Sequence, residues 1–292
     1  MIITAGALSA LNTGFRNDFN TGLAGVKPQW STVATRIPST RSSNTYGWLN
    51  AWPGMREWIG DRQVKSLSES AYTIVNKPFE STVAVPRDAI EDDEFGVYGP
   101  MMQSMAQAAA EHPDQLVFTL LKAGFTTPCY DGQNFFDDEH PVGDGVVSNM
   151  QAGAGEGWYL LDTRRPLKPL IYQERKKPEF VAMTKIDDEA VFTAKEYRYG
   201  VDSRCAVGFG FWQLAFGSKA VLSAANYEAA FEAMTSQRNE EGQVLNVRPT
   251  HIVVGPGNRA AAKKLFDAML VAGGDTNTNY KDVEIIEAPW VG

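Results

Sequence analysis

The chain has 292 residues, 43% hydrophobic and 21% charged, a composition that fits a folded globular protein and excludes disordered or fibrous classes. Asp and Glu number 35 against 27 Lys and Arg, a formal charge of -8, so the chain as a whole repels a phosphate backbone and sequence-specific nucleic-acid binding is not expected. Cys129 and Cys205 belong to no C-x-x-C or metal-type spacing, and neither a signal peptide nor a membrane span is legible, so a soluble cytosolic product without a disulfide framework is expected.

Residues 1–29 read as an arm. Phe15, Phe19 and Leu23 recur at every fourth position between Gly14, Gly22 and Gly25, which predicts a weak amphipathic turn or two. So short a helix is marginal alone and must lie on its own body or on a neighbour. Residues 30–85 carry strand-like pieces at 33–35, 72–75 and 81–85 around a middle rich in Ser, Asn, Gly and Trp, the pattern of a long hairpin-like excursion. Trp48, Trp52 and Trp58 lie on it, and indoles on an excursion with so little local core are candidate contacts to a second subunit. Phe15 and Phe19 are candidates of the same kind.

The strongest helix runs from Pro100 to Lys122, or 97–123 with its ends, introduced by Gly99 and closed by Gly124. Its apolar stripe reads Met101, Met105, Ala109, Leu116, Leu120 and Leu121, with Leu116 and Leu120 expected in the core and a bend expected at Pro113. Beyond an irregular stretch, apolar and aromatic runs at 158–161, 170–172, 190–192 and 197–211 predict an antiparallel sheet. The end of the chain alternates: a helix at 227–235, a strand at 251–254, a helix at 259–271 and a strand at 283–286. That is an α/β lobe within an α+β whole.

Asp131, Asp137, Asp138, Glu139 and His140 form the densest ligand-type cluster, but their spacing matches neither a calcium loop nor a zinc helix. The expectation is an acidic surface turn with His140 held by the following proline; a metal-dependent hydrolase built on it is the weaker alternative. Gly255-Pro256-Gly257-Asn258 follows a strand and opens a helix, yet lacks the Lys-Ser/Thr pair of a phosphate loop, so a plain strand-to-helix turn is expected. Gly208 and Gly210 are expected to permit close packing of strands. Local basic runs such as Arg175-Lys176-Lys177 and Lys263-Lys264 are expected on a solvated face. No catalytic, cofactor or metal site is expected; the surfaces themselves are expected to carry the function.

The segments YTIVNKPFESTVAVPRDAIEDDEFGVYGP (72–100), AAAEHPDQLVFTLLKAGF (108–125), CYDGQNFFDDEHPV (129–142) and WYLLDTRRPLKPLIYQER (158–175) resemble the Mu-like phage major head subunits, and the resemblance spans nearly the whole chain. It implies the Hong Kong 97-like capsid fold: an N-terminal arm (1–29), an E-loop (30–85), a P-domain with a spine helix (86–217) and an A-domain (218–292). It also implies a virion shell of hexamers and pentamers around double-stranded DNA, assembled in the host bacterial cytoplasm. A scaffolding protein, a protease, a portal protein and a possible decoration protein would be its partners. An encapsulin-like nanocompartment shares the fold and is the alternative within it. In most members the strands resembling Trp158–Asp162, Ile171–Arg175 and Arg204–Val207 come last; here they precede the α/β lobe, so a permuted domain order is expected.

Overall fold

The computed structural model describes residues 5–50, 72–91, 95–185, 187–271 and 273–292. It opens with α1 (Ala5–Gly25), the single turn α2 (Trp30–Val33), β1 (Ala34–Pro38) and a ribbon of β2 (Ser43–Thr45) against β3 (Thr73–Val75). β4 (Lys77–Pro86) and α3 (Arg87–Glu91) lead into the spine helix α4 (Phe95–Ala123). Val33, expected in a strand, closes α2 instead.

α1 has 21 residues, far more than the turn or two expected from its glycines. Gly22 is a contact rather than a breaker: a Cβ there would strike the Gln103 carbonyl and Ala106 of α4, so glycine is what lets the two helices lie together. α4 continues through Pro113, although proline removes one helical donor. Its buried face is Met102, Met105, Ala106, Val117, Phe118 and Leu121. Met101 is exposed, and Leu116 and Leu120 are half-buried, which corrects the expected stripe by about one position. The helix is apolar over a wider arc than it buries, so periodicity alone does not select the inner edge of that arc.

After α4 come a small hairpin, β5 (His140–Val142) with β6 (Gly145–Val147), then β7 (Met150–Gln151) and β8 (Trp158–Leu161). β9 (Leu170–Met183) and β10 (Glu196–Phe209), 14 residues each, form a long hairpin capped by α5 (Glu189–Ala194). Residues 190–192 are therefore helical, not a strand; Ala190 and Val191 are buried while Phe192 points outward. The hairpin is the centre of a four-stranded sheet ordered β1-β9-β10-β4, with β1 parallel to β9 and the other pairs antiparallel.

β11 (Ala215–Ser218), α6 (Ala224–Thr235), β12 (His251–Val254), α7 (Arg259–Phe266) and β13 (Glu284–Glu287) complete the chain. The second sheet is ordered β13-β12-β8-β11-β7. β8, expected beside β9 and β10, thus belongs to the lobe together with β11, and the long hairpin is an insertion between them. α7 ends at Phe266 rather than Val271, and residues 267–271 and 273–280 are rich in turns.

Among the described residues two apolar clusters form, both on α4. Met102, Met105 and Ala106 join Phe15, Phe19 and the outer end of the hairpin through Phe180, Tyr197 and Tyr199. Val117, Phe118 and Leu121 join the lobe sheet and the inner ends of β9 and β10. At about 1.5 Å per residue the 29-residue helix spans roughly 43 Å, enough to belong to both.

Candidate functional site

Phe15 and Phe19 are taken up within the chain. Phe15 meets Tyr199 edge-on, with ring centroids 5.0 Å apart, and Phe19 meets Phe180 at 5.2 Å. Polar contacts fasten the arm as well: Gln103 Nε2 donates to Asp18 Oδ1 at 3.0 Å, and the Tyr199 hydroxyl donates to Asn12 Oδ1 at 3.0 Å. Of the two supports open to the arm, it uses its own body. Trp48 has its backbone in a 3-10 turn at Gly47–Asn50; its side chain, and all of Trp52 and Trp58, lie outside the described residues.

The root of the excursion is built around Gln173, a fully buried residue of β9. Tyr46 Oη donates to Gln173 Oε1 at 2.7 Å, and Gln173 Nε2 donates to the Ile74 carbonyl at 3.2 Å and to Asn76 Oδ1 at 2.8 Å. Asn76 Nδ2 passes the chain on to Ser39 Oγ and to the Arg41 carbonyl, both at 2.9 Å. On the neighbouring strand, a Cβ at Gly208 would collide with Ile74, and the Phe209 amide donates to Tyr72 Oη at 2.9 Å. Gly208 therefore does permit close packing, of the excursion's root against β10. Nothing in the sequence singles out Gln173 except that it is a lone amide directly after the apolar run Leu170–Tyr172.

The ligand-type cluster differs from the surface turn expected. His140 is completely buried and stacked on Trp212, with ring centroids 4.0 Å apart. Its Nδ1 lies 2.7 Å from Asp131 Oδ2, while Cys129 Sγ donates to Asp131 Oδ1 at 3.0 Å. Desolvation pushes the Asp131 carboxyl up, but hydrogen bonds from His140 and Cys129 prevail and hold it below the usual carboxylate range. Burial, with the Asp131 charge second, raises the Cys129 thiol, the reverse of an activated nucleophile. The carboxylate also stands between thiol and imidazole, where a thiol–imidazole pair would need direct contact. Asp137 caps its own turn through the Glu139 amide and Asn134, and Asp138 and Glu139 face solvent.

Among the described residues, Cys129, Asp131 and His140 are the group whose ligand atoms lie within 4.8 Å of one another. The Asp131 carboxylate ties Cys129 and His140 together, while His140 Nε2 is buried without a hydrogen-bond partner among the described residues, and the cluster acts as a clasp on the loop leaving the spine helix. The Gly255–Asn258 turn is likewise filled from within: the Glu156 carboxylate lies against Gly255 and Gly257, and Asn258 Nδ2 donates to the Glu156 carbonyl at 2.8 Å. Lys176 and Lys263 from the basic runs pair with Asp202 and Glu287 at 2.7 and 3.0 Å.

A spine helix, a long peripheral hairpin sheet, a separate α/β lobe and an excursion rooted between them define the class of Hong Kong 97-like phage major capsid proteins. The profile described as "Mu-like prophage major head subunit gpT" matches residues 8–291, and the chain belongs to that family. It is 44% identical over 290 residues to the major capsid protein of Escherichia phage Mu, covering 96% of this chain and 95% of that one. Its structure is similar to the procapsid subunit of bacteriophage JBD30, with 52% identity, a TM-score of 0.88 and coverage of 99% of this chain and 100% of the other. The JBD30 capsid decorated with minor capsid protein trimers matches with 37% identity and a TM-score of 0.77, over 90% of this chain and 91% of that one. The protein is a shell-building head subunit.

Proposed function

We propose that copies of this chain associate as hexamers and pentamers that close into a shell around double-stranded DNA in the host cytoplasm. Scaffolding, proteolytic and portal functions would come from other chains. The observation that carries this reading is the near-complete match to the JBD30 procapsid subunit. Decoration by a minor capsid protein, as in the JBD30 capsid, is part of the proposal. The net charge of -8 supports a container that holds DNA without gripping it.

In the shell the lobe, residues 218–292 together with β7, β8 and β11, lies toward the capsomer axis and the long hairpin toward the periphery. Exposed apolar groups at both ends support this placement: Phe192, 83% exposed beside the hairpin turn, and Met269, Leu270 and Val271 on the lobe. A small tag at residue 292 is expected near local five-fold and six-fold axes in electron micrographs of particles. With the arm engaged internally, contacts between copies fall to the excursion, and Trp48, Trp52 and Trp58 are its proposed anchors.

Replacing all three indoles with alanine tests this. Burying an interfacial aromatic is commonly worth about 2 kcal/mol or more, repeated at each subunit, so shells should be lost while the monomer still folds. Normal shells with unchanged thermal stability would remove the indoles from the interface.

A further inference from the structure

We propose that Gln173 is a positioning residue that sets the direction in which the excursion leaves the body, so that each chain aims its own excursion before any neighbour is met. The inference rests on the proposed role of the excursion as a contact between copies. The limbs of the ribbon continue from the edge strands β1 and β4, and both are also fastened by side chains to the two central strands of the four-stranded sheet. The outgoing limb is held through Tyr46 Oη, and through Ser39, whose amide donates to the Glu174 carbonyl at 2.8 Å. The returning limb is held through the Ile74 carbonyl and the Asn76 side chain, both on the Gln173 amide.

The amide of Gln173 fits in one orientation. Its oxygen accepts from a hydroxyl and its nitrogen donates to two oxygens; turning it over would set the oxygen against the Ile74 carbonyl and against an acceptor on Asn76. Ser39 and Asn76, like Gln173, are buried, so the network is closed to water. A buried and mutually satisfied set of polar groups favours one arrangement over its near alternatives, because any displaced arrangement leaves donors and acceptors unpaired in a low dielectric. An apolar contact in the same place would allow the ribbon to slide.

Gly208 supplies the second point of attachment. Ile74 and the Tyr72 hydroxyl rest on the surface left free by its missing side chain. With Gln173 on β9 and Gly208 on β10, two adjacent strands grip the ribbon, so it turns with the sheet and not independently of it.

Gln173→Met in the full chain keeps the length of the side chain and removes its amide; Ser39→Ala removes the hydroxyl that accepts from Asn76 and donates to Asn44 at the far end of the network, leaves every contact of Gln173 in place, and serves as the milder variant. In the unassembled protein, amide exchange at 43–45 and 73–75 should quicken by about tenfold or more, the scale expected when a buried polar group loses its partner, while the lobe strands keep their protection. Particles formed by the same variants should show a broadened distribution of diameters in electron micrographs. Unchanged exchange in the folded variants would overturn the fastening. Faster exchange with particles of unmodified diameter would overturn the aiming role. Failure of the unmodified chain to form particles would count against the proposed function, leaving the exchange result to judge the fastening by itself.

Discussion

The two sheets bury their strands in different ways. In the lobe, all four residues of β8 are buried, as are those of β11, because β8 lies between β12 and β11 and both its faces are covered. β9 changes character along its length: Leu170–Gln173 are buried on both faces, whereas from Glu174 to Met183 exposed and less exposed positions largely alternate. One strand thus passes from the molecular interior onto an outer sheet with a solvated face. A continuous apolar run marks two-sided cover, and alternation marks one-sided cover.

The largest expected effect lies where α4 and the lobe share a core. Phe118 is fully buried and stacked on Trp290, 6.2 Å between centroids. Phe118→Ala should cost about 3–5 kcal/mol and leave little soluble protein. A soluble variant with an unmodified unfolding midpoint would show that the lobe does not depend on the spine. Within the lobe, Leu161→Ala on two-sided β8 should cost about 2–5 kcal/mol in denaturant unfolding.

The Asp131 clasp should produce a smaller, pH-dependent loss. Its carboxyl is depressed in the folded chain, so its stabilisation is complete above the unfolded value of about 3.9 and is lost as pH falls through the lower folded value. The Tm gap between the unmodified chain and Asp131→Asn should be constant near neutrality and narrow below about pH 4. A gap that persists in acid would mean that the carboxylate charge is not what holds His140. The smallest effect belongs to the open face of the hairpin: Val181 is 52% exposed, and Val181→Ala should change stability by less than about 0.5 kcal/mol. A loss as large as that of Leu161→Ala would erase the distinction between the sheets.

Much of this was legible in the residues, and the misses share a cause. The spine helix, the β12 strand and the lobe alternation follow from local periodicity, which needs no knowledge of partners. Proximity in sequence suggests that β8 pairs with the hairpin, but its unbroken apolar run, Trp158–Leu161, fits the two-sided cover it has in the lobe sheet. The glycines of the arm suggest a shorter helix than α1, because their spacing does not disclose that Gly22 serves the close approach of α4. The acidic residues around His140 suggest a surface turn; Trp212, which covers it, is 72 positions away in sequence, a separation that no local pattern reports. Phe15 and Phe19 had the right spacing for burial, but spacing does not say whose surface receives them.

That long-range closure has a consequence for synthesis. The arm leaves the ribosome well before the hairpin that seats it, since the hydroxyl that fixes Asn12 belongs to Tyr199, 187 positions later. At about 5–20 residues per second the arm waits roughly 10–40 s, its apolar face uncovered, for the hairpin that seats it. A nascent chain is thereby kept from presenting a finished subunit surface until most of its length exists. Chains stalled before residue 199 should lose residues 5–25 to a protease, and chains stalled well beyond the hairpin should retain them.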